Sequence, residues 1–229
     1  YATLFSGLYL SFMFFLFFLI LRALSIEFRS KEKMKWWRQM WDVTYSISSI
    51  MLAFLLGVVL GNVLQGLPFA ENTDINVSLL EALNPFALLV GVTTLALVMT
   101  HGGIYLLMKT EGRLFAKIGK LTKRSLIIFI LLFALTSLAT LIYFPHLSDR
   151  FKDTPWLFII PILGVLSIAN IPRLLSKSKY FPAFIFSGFA MAFFLMVVAV
   201  ELYPSILISS IDPQYDITIY DAAASNKTL

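Results

Sequence analysis

Six apolar runs, each long enough to cross a bilayer as a helix, alternate with polar connections along this chain. A hydrocarbon core needs roughly 20 consecutive apolar residues in helical form, and the runs predict spans at 2–24, 43–66, 84–108, 125–144, 156–174 and 181–203. The connections are of two kinds. Of 18 Lys and Arg residues, all but Arg150, Lys152 and Lys227 fall in three groups: Arg22, Arg29, Lys31, Lys33, Lys35 and Arg38; Lys109, Arg113, Lys117, Lys120, Lys123 and Arg124; and Arg173, Lys177 and Lys179. The alternate connections are neutral or acidic. Loop 67–83 carries Glu71, Asp74 and Glu81 with no Lys or Arg, and the stretch after 203 carries Asp212, Asp216 and Asp221 against Lys227 alone. Cytoplasmic loops collect the excess of Lys and Arg, so loops 22–42, 109–124 and 173–179 are expected on the cytoplasmic side. The chain then begins and ends outside, and no span has to be reversed. The predicted fold class is an all-α, polytopic integral membrane helical bundle of about six transmembrane helices, with residues 1–229 as a single transmembrane domain.

Composition strengthens this reading and removes others. A hydrophobic fraction of 59%, 22 Phe and only 14% charged residues, with a mean hydropathy of +0.85, lie far from the mix of a water-soluble domain. The sequence pI near 9.4 does not point to nucleic acid, because the basic residues sit between apolar runs instead of forming one stripe. No cysteine is present, which excludes disulfides, Fe–S ligation and thiol catalysis together. The first residue is Tyr, and the first apolar run has neither a basic leader nor a small-residue cleavage site, so a signal peptide is not expected there. The chain reads as a fragment of a longer reading frame.

Within the spans, small and bulky residues are sorted. Span one holds Phe5, Phe12, Phe14, Phe15, Phe17 and Phe18, nearly all round the helix, and much of it is expected to face lipid. In span two Ser49, Ala53, Gly57 and Gly61 recur every four residues and so line one face. Small residues at that spacing let two backbones approach closely, a main source of helix association in lipid, either within the chain or with a partner. Pro161 and Pro172 are expected to kink or end span five.

Polar side chains at membrane depth need a partner or a purpose. Arg22 closes span one and Glu27 follows it; they read either as a snorkelling surface ion pair or as part of a protonatable relay. His101 lies inside span three and His146 follows span four on the outer side. At about 1.5 Å of rise per residue their depths differ by roughly 20 Å or more, so they cannot be the two axial ligands of one haem. His101 remains either a hydrogen-bonded helix residue or a single ligand. Glu201, near the outer end of span six, is either buried against a partner or at the interface. Asn62 and Gln65 sit in GNVLQGLPF at 61–69, an amide-bearing helix end bounded by glycines and stopped by proline, where amides bond across helices or cap carbonyls.

That segment resembles the signature of subunit II of the cytochrome bd-type quinol oxidases. Other stretches agree in order: LRALSIEFRSK at 21–31 resembles the family's arginine, acid and Arg-Ser-Lys loop, and WWRQMWD at 36–42 its Trp-Arg-x-x-Trp-Asp helix entry. NPFALLVG at 84–91 and THGGIYLLMKTEG at 100–112 are similar to the opening and closing of the next span, and YPSILISSIDPQYDITIYDAAASNKTL at 203–229 to the family's outer stretch of serines, an aspartate and Thr-Leu. There are departures. Arg22-Ala23 stands where many relatives have Arg-Pro, Glu27 where an aspartate is common, and His101 where some carry glutamine, which argues against haem ligation there. The resemblance implies that the family's first two helices, with their Trp-Asp-Gly-Asn motif, and its last helix are missing from this fragment, and that these spans are part of two four-helix bundles.

The resemblance further implies a quinol:oxygen oxidoreductase in a prokaryotic cytoplasmic membrane, in which quinol is oxidised and dioxygen reduced to water. Haem b and haem d are then held by a partner subunit I in a heterodimer; no metal or cofactor is bound by this chain, and no catalytic residue lies in it. A small accessory subunit and a bound lipid or structural quinone are left open. By resemblance Arg22 and Glu27 match positions of an inward-side proton path, with Glu27 passing protons and Arg22 setting its charge, while Asn62 and Gln65 pack against the outer part of subunit I. The rival readings are weaker. A secondary transporter requires interrupted helices at corresponding positions of two repeats, and a membrane hydrolase a nucleophile and base at one depth; neither pattern is present.

Overall fold

A computed structural model describes residues 2–70, 77–220 and 222, without the side chains of Ala2, Leu79, His146 and Asp149. Glu71, Asp74, Asp221 and Lys227 lie outside the described residues. In chain order the helices are α1 (Ala2–Gly7), α2 (Tyr9–Arg29), α3 (Lys35–Gln65), α4 (Leu79–Ala82), α5 (Pro85–Lys109), α6 (Gly112–Tyr143), α7 (Asp149–Asp153), α8 (Ile159–Ser176) and α9 (Tyr180–Leu202). Short 3-10 turns cover Pro145–Ser148, Pro155–Phe158 and Pro213–Tyr215, and two short strands, β1 (Ser205–Leu207) and β2 (Ile217–Thr218), follow α9. Six segments, Tyr9–Arg29, Lys35–Gln65, Pro85–Lys109, Gly112–Tyr143, Pro155–Ser176 and Tyr180–Leu202, are long and apolar enough to cross a membrane. The chain is an all-α polytopic membrane protein.

The helix ends differ from the apolar runs at the basic connections. α2 runs on to Arg29, α3 begins at Lys35 and α6 at Gly112, all well outside the predicted spans. Apolarity marks what sits in hydrocarbon, whereas Lys, Arg, Gln and Met are good helix formers that continue the backbone into water. The 31 residues of α3 span about 46 Å at 1.5 Å each, against a core of about 30 Å. The first run is also not one helix. It breaks at Leu8, with φ −108° and ψ 25°, directly after Gly7, a residue with low helix propensity.

Neither proline ends α8. Pro161 falls in its first turn, where the backbone N–H has no intrahelical acceptor to lose. Pro172 is inside the helix, which nevertheless continues to Ser176.

The chain divides into two compact units, Tyr1–Leu95 with Leu207–Asp216, and Ala96–Ile206 with Ile217–Leu229, the boundary falling within α5. In the first unit α2 packs on α3, burying Ser11 and Ser25 of α2. α3 packs on the first half of α5 through its glycines: a Cβ added to Gly57 would stand 2.7 Å from the Cα of Gly91, and one on Gly61 2.7 Å from the Cα of Ala87. Ala53 on the same face is buried, and Ser49 is half-buried with its hydroxyl donating to the Tyr45 carbonyl at 2.8 Å.

α3 stops at Gly66, whose φ of +86° suits glycine at a helix C-terminus. The segment after β1 returns here. The Leu67 N–H donates to the Ile208 carbonyl and the Ser210 N–H to the Leu67 carbonyl, both at 2.9 Å. The Ser209 hydroxyl donates to the Phe69 carbonyl at 2.6 Å, and the Asp216 carboxylate accepts the Ser209 N–H at 2.8 Å. The last residues of GNVLQGLPF and the outer serine stretch are thus stitched together, with Leu67 and Phe69 fully buried.

The second unit has its core between Ala96, Leu97, Ile104 and Leu107 of α5, Leu126 and Phe129 of α6, Ile168, Ile171 and Leu175 of α8, and Ala183 and Ala190 of α9. Polar contacts are buried beside it. Thr100 and Ser125 approach at 3.1 Å and both donate to the Ala96 carbonyl, at 2.8 and 3.2 Å. α5 and α6 approach closely at Gly103, where an added Cβ would stand 3.2 Å from the Thr122 Cβ. α8 closes at Ser178 with a positive φ of 56°, the Lys179 N–H reaching back to the Leu174 carbonyl at 3.0 Å, a Schellman-type end.

Candidate functional site

On α2 the period of 3.6 residues decides which basic-end residues meet α3. Arg22, Ser25 and Arg29, spaced by three and four, share the face toward α3. The Arg22 guanidinium lies over the Tyr45 ring, 5.5 Å from its centre. Ser25 is buried and donates to the Leu21 carbonyl at 2.6 Å. Arg29 grips Asp42 with two bonds, Nε to Oδ1 at 2.6 Å and Nη2 to Oδ2 at 3.3 Å. The Trp37 indole N–H donates to the Phe28 carbonyl at 2.7 Å, and Trp41 packs on Phe28 at 5.3 Å. These contacts join the end of α2 to the start of α3, and between them lies an open cavity of about 300 Å³ lined by Ser25, Ile26, Arg29, Trp41, Asp42 and Tyr45. The Trp41 indole nitrogen is buried without a hydrogen-bond partner among the described residues. An open space of this size beside a guanidinium and a carboxylate has room for several waters.

Glu27 is elsewhere. Five residues from Arg22, it is turned by roughly 140° about the helix axis, and it is exposed. The expected neighbourhood of the Arg22 guanidinium and the Glu27 carboxylate does not form, because a spacing of five is neither three nor four. The bonded pair is Arg29 with Asp42, which the sequence reading did not single out. Both partners are about half exposed, 54% and 53%, so the pair orients the turn more than it stabilises it.

At the opposite end of α3, Asn62 is 4% exposed and fully used. Its amide nitrogen donates to the carbonyls of Val58 at 2.8 Å and Ala82 at 2.7 Å, and its oxygen accepts from Asn84 Nδ2 at 3.0 Å. Asn84 in turn caps α5, its oxygen accepting the Ala87 N–H at 2.8 Å. Asn followed by Pro before an apolar run is the signal that would have revealed it, since Asn suits the cap and Pro the first helical position. Asn62 therefore bonds within the chain. Gln65 is half-buried, and its side-chain oxygen is buried without a partner among the described residues.

His101, in the second unit, is half-buried. Its Nδ1 is 2.8 Å from the Ser187 hydroxyl, which itself donates to the Phe184 carbonyl at 2.7 Å. The His101 ring stacks on Phe184 at 4.4 Å. The His146 side chain lies outside the described residues. Glu201 is half-buried in the last turn of α9. Among the described residues no three His, Asp or Glu side chains converge as a metal cluster would require.

The sequence profile described as cytochrome bd terminal oxidase subunit II matches residues 1–229, the whole chain. The chain belongs to that family. Relatives include the probable cytochrome oxidase subunit 2 of Haemophilus influenzae, 31% identical, with 100% of this chain aligned to 68% of that protein. The cytochrome bd-I ubiquinol oxidase subunit 2 of Escherichia coli is 28% identical, again over 100% of this chain and 68% of that protein. The cytochrome bd ubiquinol oxidase subunit 2 of Bacillus subtilis is 26% identical over 100% and 67%. As a cytochrome bd oxidase subunit II, the chain is part of a respiratory oxidoreductase complex that uses haems, and the designation implies a partner subunit. The transporter reading is not favoured.

Proposed function

We propose that this chain is the haem-free subunit of a quinol:oxygen oxidoreductase, forming one transmembrane domain in a prokaryotic cytoplasmic membrane with its three basic connections on the cytoplasmic side. The family match over all 229 residues carries the reading. In it, haem b and haem d belong to subunit I, the partner in a heterodimer, and this chain lends shape and a route for protons. A small accessory subunit is compatible with the same architecture.

Reduction of dioxygen to water consumes protons, and drawing them from the inner side makes the reaction electrogenic. The basic end of α2 and α3 supports such an entry. Glu27 is exposed on the side of α2 away from Tyr45 and Arg29, where a partner helix can meet it, and the open cavity between Ser25 and Asp42 has the Arg29 and Asp42 side chains in its wall. Glu27 passes the proton, and Arg22, held over Tyr45, keeps a fixed positive charge at the boundary.

Replacing Glu27 with Gln in the complete oxidase is expected to lower oxygen reduction at saturating quinol by about tenfold or more, short of the 10²–10⁴ typical of a group that transfers protons directly in a transition state. Glu27→Asp is expected to retain most of the rate. The oxygen electrode reads both, and an unchanged rate in Glu27→Gln with intact haem spectra removes the relay.

A further inference from the structure

A second cavity, about 300 Å³, opens in the second unit among the end of α5, the start of α6 and the α8–α9 connection. Leu107, Phe115 and Leu175 supply its apolar floor: Leu107 and Leu175 are 6% and 8% exposed, and Phe115 packs against the core. Lys120, Lys123 and Tyr180 supply its polar rim, with the exposed hydroxyls of Ser176 and Ser178 beside them. Lys120 and Lys123 are three residues apart and so point the same way from α6. Among the described residues neither forms an ion pair with a carboxylate. The surroundings do not neutralise them: between 109 and 124 there are six Lys and Arg against Glu111 alone, and Arg173, Lys177 and Lys179 stand without an acid on the neighbouring connection.

Depth identifies the occupant. Lys123 stands two residues before the apolar run that begins at 125, which places both ammonium groups near the level where hydrocarbon gives way to headgroups, their stems lying along the apolar floor. Basic pockets between membrane helices at that level recognise acidic lipid headgroups. We propose that this cavity seats an anionic phospholipid, its phosphate held between Lys120 and Lys123, its ester and headgroup oxygens accepting from the Tyr180 and Ser178 hydroxyls, and its first acyl carbons on Leu107, Phe115 and Leu175. Free phosphate would satisfy the lysines but leave the apolar floor uncovered. The site shares no residue with Arg22 or Glu27, so it stands or falls apart from the proton route.

Native mass spectrometry of the complete, delipidated oxidase titrated with phosphatidylglycerol or phosphatidylcholine tests the site. The wild-type complex is expected to bind phosphatidylglycerol in preference to phosphatidylcholine, and Lys120→Gln/Lys123→Gln to bind it roughly 30-fold more weakly, each cation near an acidic headgroup contributing about fivefold. Lys120→Arg/Lys123→Arg is expected to restore binding, and Lys33→Gln, in the other unit, to leave it unchanged. Where the double variant does not assemble, the single variants carry the test at about fivefold each. Equal binding of phosphatidylglycerol by wild type and the glutamine variants, equal preference for phosphatidylcholine, or displacement of the lipid by inorganic phosphate would each overturn the proposal, the last in favour of a simple anion site.

Discussion

Replacing Gly57 and Gly61 together by leucine is expected to leave the oxidase unassembled. The first side-chain carbon at Gly57 would lie 2.6 Å from Thr94 Oγ1 and 2.7 Å from the Gly91 Cα, and that at Gly61 2.7 Å from the Ala87 Cα. Two of these obstacles are backbone atoms, which no rotamer change can clear, so α3 and α5 must part. In hydrocarbon that contact rests on close packing, since lipid tails are as apolar as the side chains. Overpacking costs typically about 1–3 kcal/mol per site, which is the range expected for either single alanine variant, and leucine at both sites exceeds it. Gly102 is the control. Nothing lies within 4 Å of a Cβ built there, and alanine, a better helix former by about 1 kcal/mol, is expected to be neutral or stabilising. The amount of intact complex in membranes, and its thermal midpoint, distinguish the three.

Asn62→Leu carries the next largest effect, about 3 kcal/mol. The side chain is buried at 4% exposure and uses both ends of its amide. Leucine removes the donor to Ala82 and the acceptor for Asn84 and leaves both partners short of a bond, each costing about 1–3 kcal/mol when buried. Leucine at Asn84 also removes the cap on Ala87, a loss of about 1 kcal/mol. Because the two amides bond to each other, the double variant Asn62→Leu/Asn84→Leu is expected to be less destabilised than the sum of the singles. Thermal unfolding of the four proteins closes that cycle, and strict additivity would show that the Asn62–Asn84 bond contributes nothing.

How far the sequence speaks depends on the range of the interaction. The six spans were legible because apolar runs of that length have few alternatives to a membrane helix, and the Gly57–Gly61 face because a four-residue spacing fixes one side of a helix wherever its partner lies. Helix ends were not, since α3 and α6 continue as helices through Lys35–Arg38 and Arg113–Arg124, where apolarity has already stopped. The return of Ile208, Ser209 and Ser210 to Leu67 and Phe69 was invisible because it rests on a few hydrogen bonds between residues about 140 positions apart. The contacts of Arg22 and Arg29 were not legible: the helix period turns Glu27 to another side of α2, and Tyr45, under the Arg22 guanidinium, and Asp42, bonded to Arg29, lie on another helix. Asn84 before Pro85 is a local signal of a helix cap, which its bond to the Ala87 N–H makes explicit.

The most direct test of a haem-free subunit is the reduced visible spectrum of the complex purified through a tag on this chain, recorded for wild type and for His101→Ala/His146→Ala. The expected result is haem b and haem d absorption that copurifies with the chain and keeps its intensity when both histidines are gone. A complex with no haem d band, or one that loses a haem band with those histidines, contradicts the account.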